Sequence, residues 1–408
     1  MSIPQPKKYI KDFEELGFGI FVHYGLYSLL ESGEWTAKLN NIPEAEYKRN
    51  MSNFNPKGFK DIVMTAKAAG AKYICLTTRH HDGFSLYDTR GLNDFDALHS
   101  AAKRDLVKEF VDECRSEGII PFLYHTTIEF WNKDLETDFN KYLKYLQKSV
   151  EILCTNYGDI GGLWFDGNWS RPNADWKEDE LYRLIRKHQP NALIINNTGM
   201  YHLGEIGNEE IDAVTFERGK AFFINKDGAK KYLGSEVCDS VNNHWGVAKD
   251  FNYKSPAFLI KELCDSRKVG ANLLLNVGPL ADGTVPDYPK SALKVVGEWM
   301  KIFGEAIYKA KPYWHRDFTN NFVLKGEKAL YFFYYDLSRR GAEAVSVYGG
   351  SEGKRFFEDI TDEIKKIYWM DNNELLKFNQ SECGTIIDFT GYDYGHDYCV
   401  RVAKAELR

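Results

Sequence analysis

Eight short apolar runs divide the first 280 residues, and each closes on or beside a polar side chain. The runs are Gly19–His23, Tyr73–Thr78, Ile119–Tyr124, Gly161–Asp166, Ala192–Asn197, Ala213–Glu217, Leu233–Cys238 and Asn272–Val277. Between them lie stretches with helical periodicity, among them Lys103–Ser116, Phe139–Asn156, Glu178–His188 and Pro256–Val269. Unbroken apolar strands separated by helices are buried on both faces, which is the pattern of a parallel sheet covered by helices. Eight of them predict an α/β fold, a (β/α)8-like TIM barrel, irregular between the fifth and seventh runs where helices are poorly marked. The competing open, doubly wound sheet calls for a G-x-G-x-x-G turn after the first strand, and the chain has none there.

Beyond about Tyr308 the pattern changes. Asn321–Val323, Ala329–Tyr335, Ala344–Tyr348, Lys366–Trp369, Thr385–Phe389 and Tyr398–Val402 are short, strand-like and separated by Gly, Asn and Asp turns. This predicts a C-terminal antiparallel β-sandwich over 311–408, after a barrel domain over 1–310 that carries the chemistry.

Charge and composition narrow the function. The 53 Lys and Arg against 59 Asp and Glu leave a formal charge of −6, so no basic field exists to bind nucleic acid. No stretch approaches the ~20 apolar residues of a membrane-spanning helix, and no membrane partner is expected. The N-terminus lacks a signal-like apolar segment, and the seven cysteines are spread without a CxxC pair, which points to a reducing cytoplasm. Aromatics reach 15%, enough for a bulky core, a site gripping a partly apolar ligand, or both.

In a barrel, polar residues at the C-terminal strand ends face the active site. Here those ends carry His23, His80 with His81 and Asp82, Tyr124 with His125, Asp166, Asn196 with Asn197, Glu217, Glu236 and Asn276. Any one of them alone reads as a hydrogen-bonded structural group; eight ends in eight do not. Asp166 is the sharpest case, because a carboxylate closing the run Leu163-Trp164-Phe165 is costly unless paired or used. It reads as a nucleophile or general base. Glycosidase chemistry then requires a second carboxyl, and Glu217 and Glu236 both qualify, unless either is a partner of Arg218 or Lys231. Metal-dependent barrel hydrolysis through His23, His80, His81, His125 and Asp166 is the alternative. It is weakened because adjacent His80 and His81 point apart on an extended strand. No metal and no cofactor is therefore expected. A catalytically inactive sugar-binding protein is the non-enzymatic alternative.

The same residues carry a family resemblance. Phe18-Gly-Ile-Phe-Val-His-Tyr-Gly25, Gly33-Glu34-Trp35, Arg79-His-His-Asp-Gly-Phe84, Lys103-Arg-Asp-Leu106, Leu163-Trp-Phe-Asp-Gly167 and Asn272-Leu-Leu-Leu-Asn-Val-Gly-Pro279 resemble the α-L-fucosidases of glycoside hydrolase family 29. The resemblance implies retaining hydrolysis of terminal α-L-fucosyl linkages in oligosaccharides or glycoconjugates, with Asp166 as nucleophile. It implies hydroxyl ligands at His23, Glu34, Trp35, His80, His81 and Tyr124, and an aromatic seat for the sugar methyl at Phe21, Trp164 and Trp245. For the acid/base, members divide between the positions of Glu217 and Glu236; Glu217 is the choice here, with Glu236 lining the pocket. Many members have Asp-Arg where this chain has Asn197-Thr198, so one expected cationic contact is missing. Association into a homo-oligomer is left open.

Overall fold

The computed structural model describes residues 3–408 apart from 228, 316–319, 343 and 345. The chain forms two compact units. One comprises the chain up to Lys254 together with Ala271–Lys294, and the other Ser255–Gly270 with Val295–Arg408.

The first unit is a closed parallel barrel of eight strands in sequence order. They are β1 (Phe18–Val22), β2 (Tyr73–Arg79), β3 (Ile120–Thr126), β4 (Gly162–Asp166), β5 (Leu193–Asn196), β6 (Ala213–Glu217), β7 (Gly234–Ser240) and β8 (Asn272–Val277). Pairing of Phe18 with Leu273 closes the ring between β1 and β8. The weakest joint is β5–β6, held in register by the single pair Ile195–Ala213. No helix follows β5 or β6 among the described residues, because 198–211 and 218–232 lack a repeating apolar face. Two of the helices elsewhere start on capping side chains. Asp105 accepts from the Lys108 amide at the head of Leu106–Ser116, and Asp138 from the Lys141 amide ahead of Phe139–Asn156. The helix Pro256–Lys268, capped by Ser255, lies between β7 and β8 in sequence but belongs to the second unit.

Large side chains fill the barrel interior. Phe21, Tyr73, Cys75, Phe122, Tyr124, Trp164, Leu193, Ile195, Ala213, Cys238 and Leu274 form one buried cluster, joined by Phe13. The barrel interior is therefore a packed core and not a pore.

The second unit contains eight antiparallel strands: β9 (Lys311–Tyr313), β10 (Phe322–Lys325), β11 (Ala329–Tyr334), β12 (Gly353–Glu358), β13 (Ile364–Trp369), β14 (Leu375–Ser381), β15 (Gly384–Phe389) and β16 (Arg401–Leu407). Their order is β12-β15-β14-β13-β16-β11-β10-β9. The two arms, joined by only two residue pairs between β13 and β14, share a core that includes Leu330, Phe332, Phe357, Ile367, Trp369, Ile387 and Phe389. Two expected strands differ. Within Ala344–Tyr348 the described residues make no strand, and Val345 lies outside the described residues. The last strand begins at Arg401 rather than Tyr398, since Cys399 has φ +66°, which interrupts an extended run.

Candidate active site

Strand alternation aims the polar ends inward. A residue two positions after an inward core side chain faces the same side, one layer higher. Phe21 thus leads to His23, Trp164 to Asp166, Ile195 to Asn197, Thr215 to Glu217 and Leu274 to Asn276. At the mouth these side chains meet.

Asp166 is held from both sides. Its Oδ1 accepts from Trp169 Nε1 at 2.6 Å and Asn197 Nδ2 at 3.2 Å. Its Oδ2 accepts from the Tyr124 hydroxyl at 3.1 Å and lies 3.4 Å from His81 Nε2. Burial works against ionisation, yet the hydrogen bonds from His81, Trp169 and Asn197 prevail and hold the carboxyl below its ordinary 3.8. Glu217 sits in the opposite state. Burial, then the Asp166 charge, raise it to about 7, although Asn197 and Arg218 pull the other way. Asn197 Nδ2 donates to Glu217 Oε2 at 2.7 Å as well as to Asp166. With amide N–H bonds diverging by ~120°, those two distances place the acceptor oxygens about 5 Å apart. Asp166 is built to be ionised and Glu217 to carry a proton.

Imidazoles, a carboxyl and aromatic rings surround the pair. His23 Nδ1 bonds to Asn276 Oδ1 at 2.7 Å, and burial pushes its pKa down to about 3. His80 and His81 both lie in the turn after β2, with ring centroids 4.2 Å apart. The turn removes the expected divergence of adjacent side chains. His81 Nδ1 bonds to Thr126 Oγ1 at 2.6 Å, which leaves Nε2 for Asp166. The buried His80 Nδ1 has no hydrogen-bond partner among the described residues. Glu34 Oε2 accepts from the Gly246 amide at 2.7 Å, and Trp35 packs across His81 at 5.2 Å. Phe21 meets Trp164 at 5.0 Å and Trp245 at 6.1 Å, while Trp245 lies 5.1 Å from His23.

Two candidates fall elsewhere. Glu236, expected to line the pocket, is inside the barrel with 0% exposure. Its Oε2 accepts from the Tyr73 hydroxyl at 2.5 Å and its Oε1 from Trp164 Nε1 at 3.0 Å. The sequence ends the seventh run at Cys238, but β7 continues to Ser240, so Glu236 is a mid-strand residue. His125 points out of the barrel, where its Nε2 meets Ser149 Oγ at 2.8 Å. Neither glutamate pairs as an alternative reading allowed: Arg218 donates to the carbonyls of Asn242 and Asn243, and Lys231 joins Asp212. Among the described residues no group of three or more His, Cys, Asp or Glu is arranged to hold a metal ion.

Sequence reasoning missed two contacts of Asp166. Trp169 returns to the carboxylate through the turn at Gly167, whose φ of +124° suits glycine and whose Cβ would lie 2.7 Å from Thr127 Oγ1. That glycine was the available signal. Asn197 was visible as a strand-end amide but not as a bridge.

Comparisons with known proteins identify the family. Residues 2–305 match the α-L-fucosidase family model. Tissue α-L-fucosidase of Bos taurus is 26% identical over 359 residues, covering 78% of this chain and 72% of that protein. The structure of α-L-fucosidase isoenzyme 1 from Paenibacillus thiaminolyticus is 28% identical with a TM-score of 0.81, covering 98% of this chain and 99% of that one. A Bacteroides thetaiotaomicron family 29 α-L-fucosidase, trapped as a covalent intermediate with 2-fluoro-fucosyl fluoride, shares the fold at 19% identity, TM-score 0.82, covering 100% of this chain and 98% of that one. This chain is a glycoside hydrolase that belongs to the α-L-fucosidase family.

Proposed function

We propose that the chain hydrolyses terminal α-L-fucosyl linkages of oligosaccharides or glycoconjugates with retention of configuration. One observation carries this reading: Asp166 Oδ1 and Glu217 Oε2 accept from the same Asn197 amide nitrogen at 3.2 and 2.7 Å, so these oxygens lie no more than about 6 Å apart, and their surroundings favour the charged form of the first and the protonated form of the second. Retaining glycosidases place their carboxyls ~5–5.5 Å apart, whereas inverting ones need ~6.5–9.5 Å to admit a water.

In the first step Asp166 attacks the anomeric carbon as the bond to the leaving oxygen breaks, and Glu217 gives that oxygen its proton. Oδ1 is fixed by the short Trp169 bond, so Oδ2, with contacts of 3.1 and 3.4 Å, is the attacking atom. In the second step Glu217, now a base, takes a proton from water, which attacks the same carbon and releases Asp166. His23, His80, Glu34 and Trp35 bind the sugar hydroxyls. The neutral histidines can donate or accept, and His80 Nδ1 has an unused bond to offer. Phe21, Trp164 and Trp245 seat the apolar methyl. The barrel is the catalytic domain, and the antiparallel strands from Lys311 onward form a β-sandwich. A cytoplasmic location belongs to the same reading, supported by seven free cysteines, five of them buried.

Hydrolysis of an aryl α-L-fucoside followed by NMR tests this. α-L-Fucose as the first product supports it, and β-L-fucose overturns it. Full activity after chelation separates carboxyl chemistry from a metal-dependent reaction.

A further inference from the structure

We propose that Asn197 is a positioning residue for this reaction: one side-chain amide sets the separation of the two carboxyls and ties the loop after β5 to them. The inference rests on the reading of Asp166 and Glu217 given above. It adds a residue that neither attacks nor protonates.

All four hydrogen-bonding positions of the amide are used. Nδ2 donates to Asp166 Oδ1 and Glu217 Oε2 at 3.2 and 2.7 Å. Oδ1 accepts from Thr215 Oγ1 at 2.9 Å and from the Gly199 amide at 3.2 Å. This pattern fixes which end of the amide is which. The ionised Asp166 needs a donor and the Gly199 backbone N–H needs an acceptor. The residue is 3% exposed, so an unmade bond would be expensive. Thr215 lies on β6 two residues before Glu217, so the amide spans the β5–β6 joint where the backbone ladder has one register pair. Where the ladder is thinnest, a side chain holds the site together.

The Gly199 bond extends the effect. Gly199 has φ +82°, and a Cβ there would lie 3.3 Å from Trp169. The turn that Asn197 anchors is thus the surface against which Trp169 rests, and Trp169 holds the same Asp166 oxygen. Asn197 acts on the nucleophile directly and through Trp169.

Removing the amide deprives both carboxylates of a donor, so both lose a preference for the ionised form. The other titratable or charged groups facing the pair are His23 on the β1 side, Glu34, His81, Tyr124, Arg218 and Cys238, and the substitution leaves them in place. For Asn197→Ala with an aryl α-L-fucoside, kcat should fall on the order of 10²-fold with KM changed only a few-fold, as for a misplaced reacting group. Both limbs of the kcat/KM profile against pH should move upward. Asn197→Asp keeps the shape and adds a third carboxylate, so its alkaline limb should move further up; it serves if the Ala variant does not fold. Asn196→Ala is the control, because that side chain bonds Glu178 and Tyr182 instead. Wild-type limbs in both Asn197 variants, or equal shifts in the Asn196 control, overturn the proposal. Asp166→Ala and Glu217→Ala are measured alongside. If both lose activity while the Asn197 limbs stay put, only this inference fails; if either retains full turnover, the functional reading itself fails.

Discussion

Glu217 and Glu236 lie on neighbouring strands, and both are shifted to about 7, yet they do different things. Glu217 is at the barrel mouth, partly exposed, with one oxygen bound by Asn197 and an ionised Asp166 nearby. Glu236 is one layer down in the interior, raised by burial alone, with each oxygen taken by Tyr73 or Trp164. The same shift can therefore mark an acid or a structural brace. What separates them is a charged partner and access to the mouth.

Substitutions can break or sharpen this comparison. The largest loss is expected for Asp166→Ala, on the order of 10⁴-fold in kcat/KM for an aryl fucoside, because no other group can form the covalent bond. Glu217→Ala should cost ~10²–10⁴-fold, less with leaving groups of low pKa that need no proton. Its pH signature follows from the states at the mouth. Activity requires ionised Asp166 and protonated Glu217, so kcat/KM should fall above pH about 7, and Glu217→Gln should lose that alkaline limb. Trp169→Phe removes one donor and keeps the ring, with an expected loss of roughly 10-fold in kcat.

Glu236→Gln should change activity least, and its readout is stability. A carboxyl held near 7 in the fold and near 4.5 when unfolded favours the folded state less as pH rises between those values. Its contribution is intact below about 4.5 and is lost by the time pH passes 7. The Gln variant lacks this dependence, so chemical denaturation at pH 5 and pH 8 should show its relative stability improving by up to about 3 kcal/mol. An unchanged difference between the two pH values would contradict the interior assignment.

Much of the barrel was legible because its strands are buried on both faces and end where their apolar runs end. Asp166 could be read from that rule alone, whereas Glu217 and Glu236 both met it. The rule misplaced Glu236: the run Leu233–Cys238 stops being apolar two residues before β7 stops pairing, and two residues along a strand is one full layer. The Trp169 contact depends on the backbone at Gly167, and the Asn197 bridge on which strands lie side by side. The first has a local signal in that glycine, whereas the second is not a property of local sequence. In the second unit, Gly353–Glu358 and Leu375–Ser381 escaped detection because charged and polar residues interrupt their apolar pattern on a half-exposed arm.

The most direct test of the central claim is the product formed when azide replaces water in the alanine variants. In a double displacement, azide attacks the fucosyl–Asp166 intermediate of Glu217→Ala and gives α-L-fucosyl azide. In Asp166→Ala it takes the place of the nucleophile and gives the β-anomer. The account predicts both products and neither rescue nor azide adduct for Glu236→Ala. An α-azide from Glu236→Ala, with none from Glu217→Ala, would contradict it.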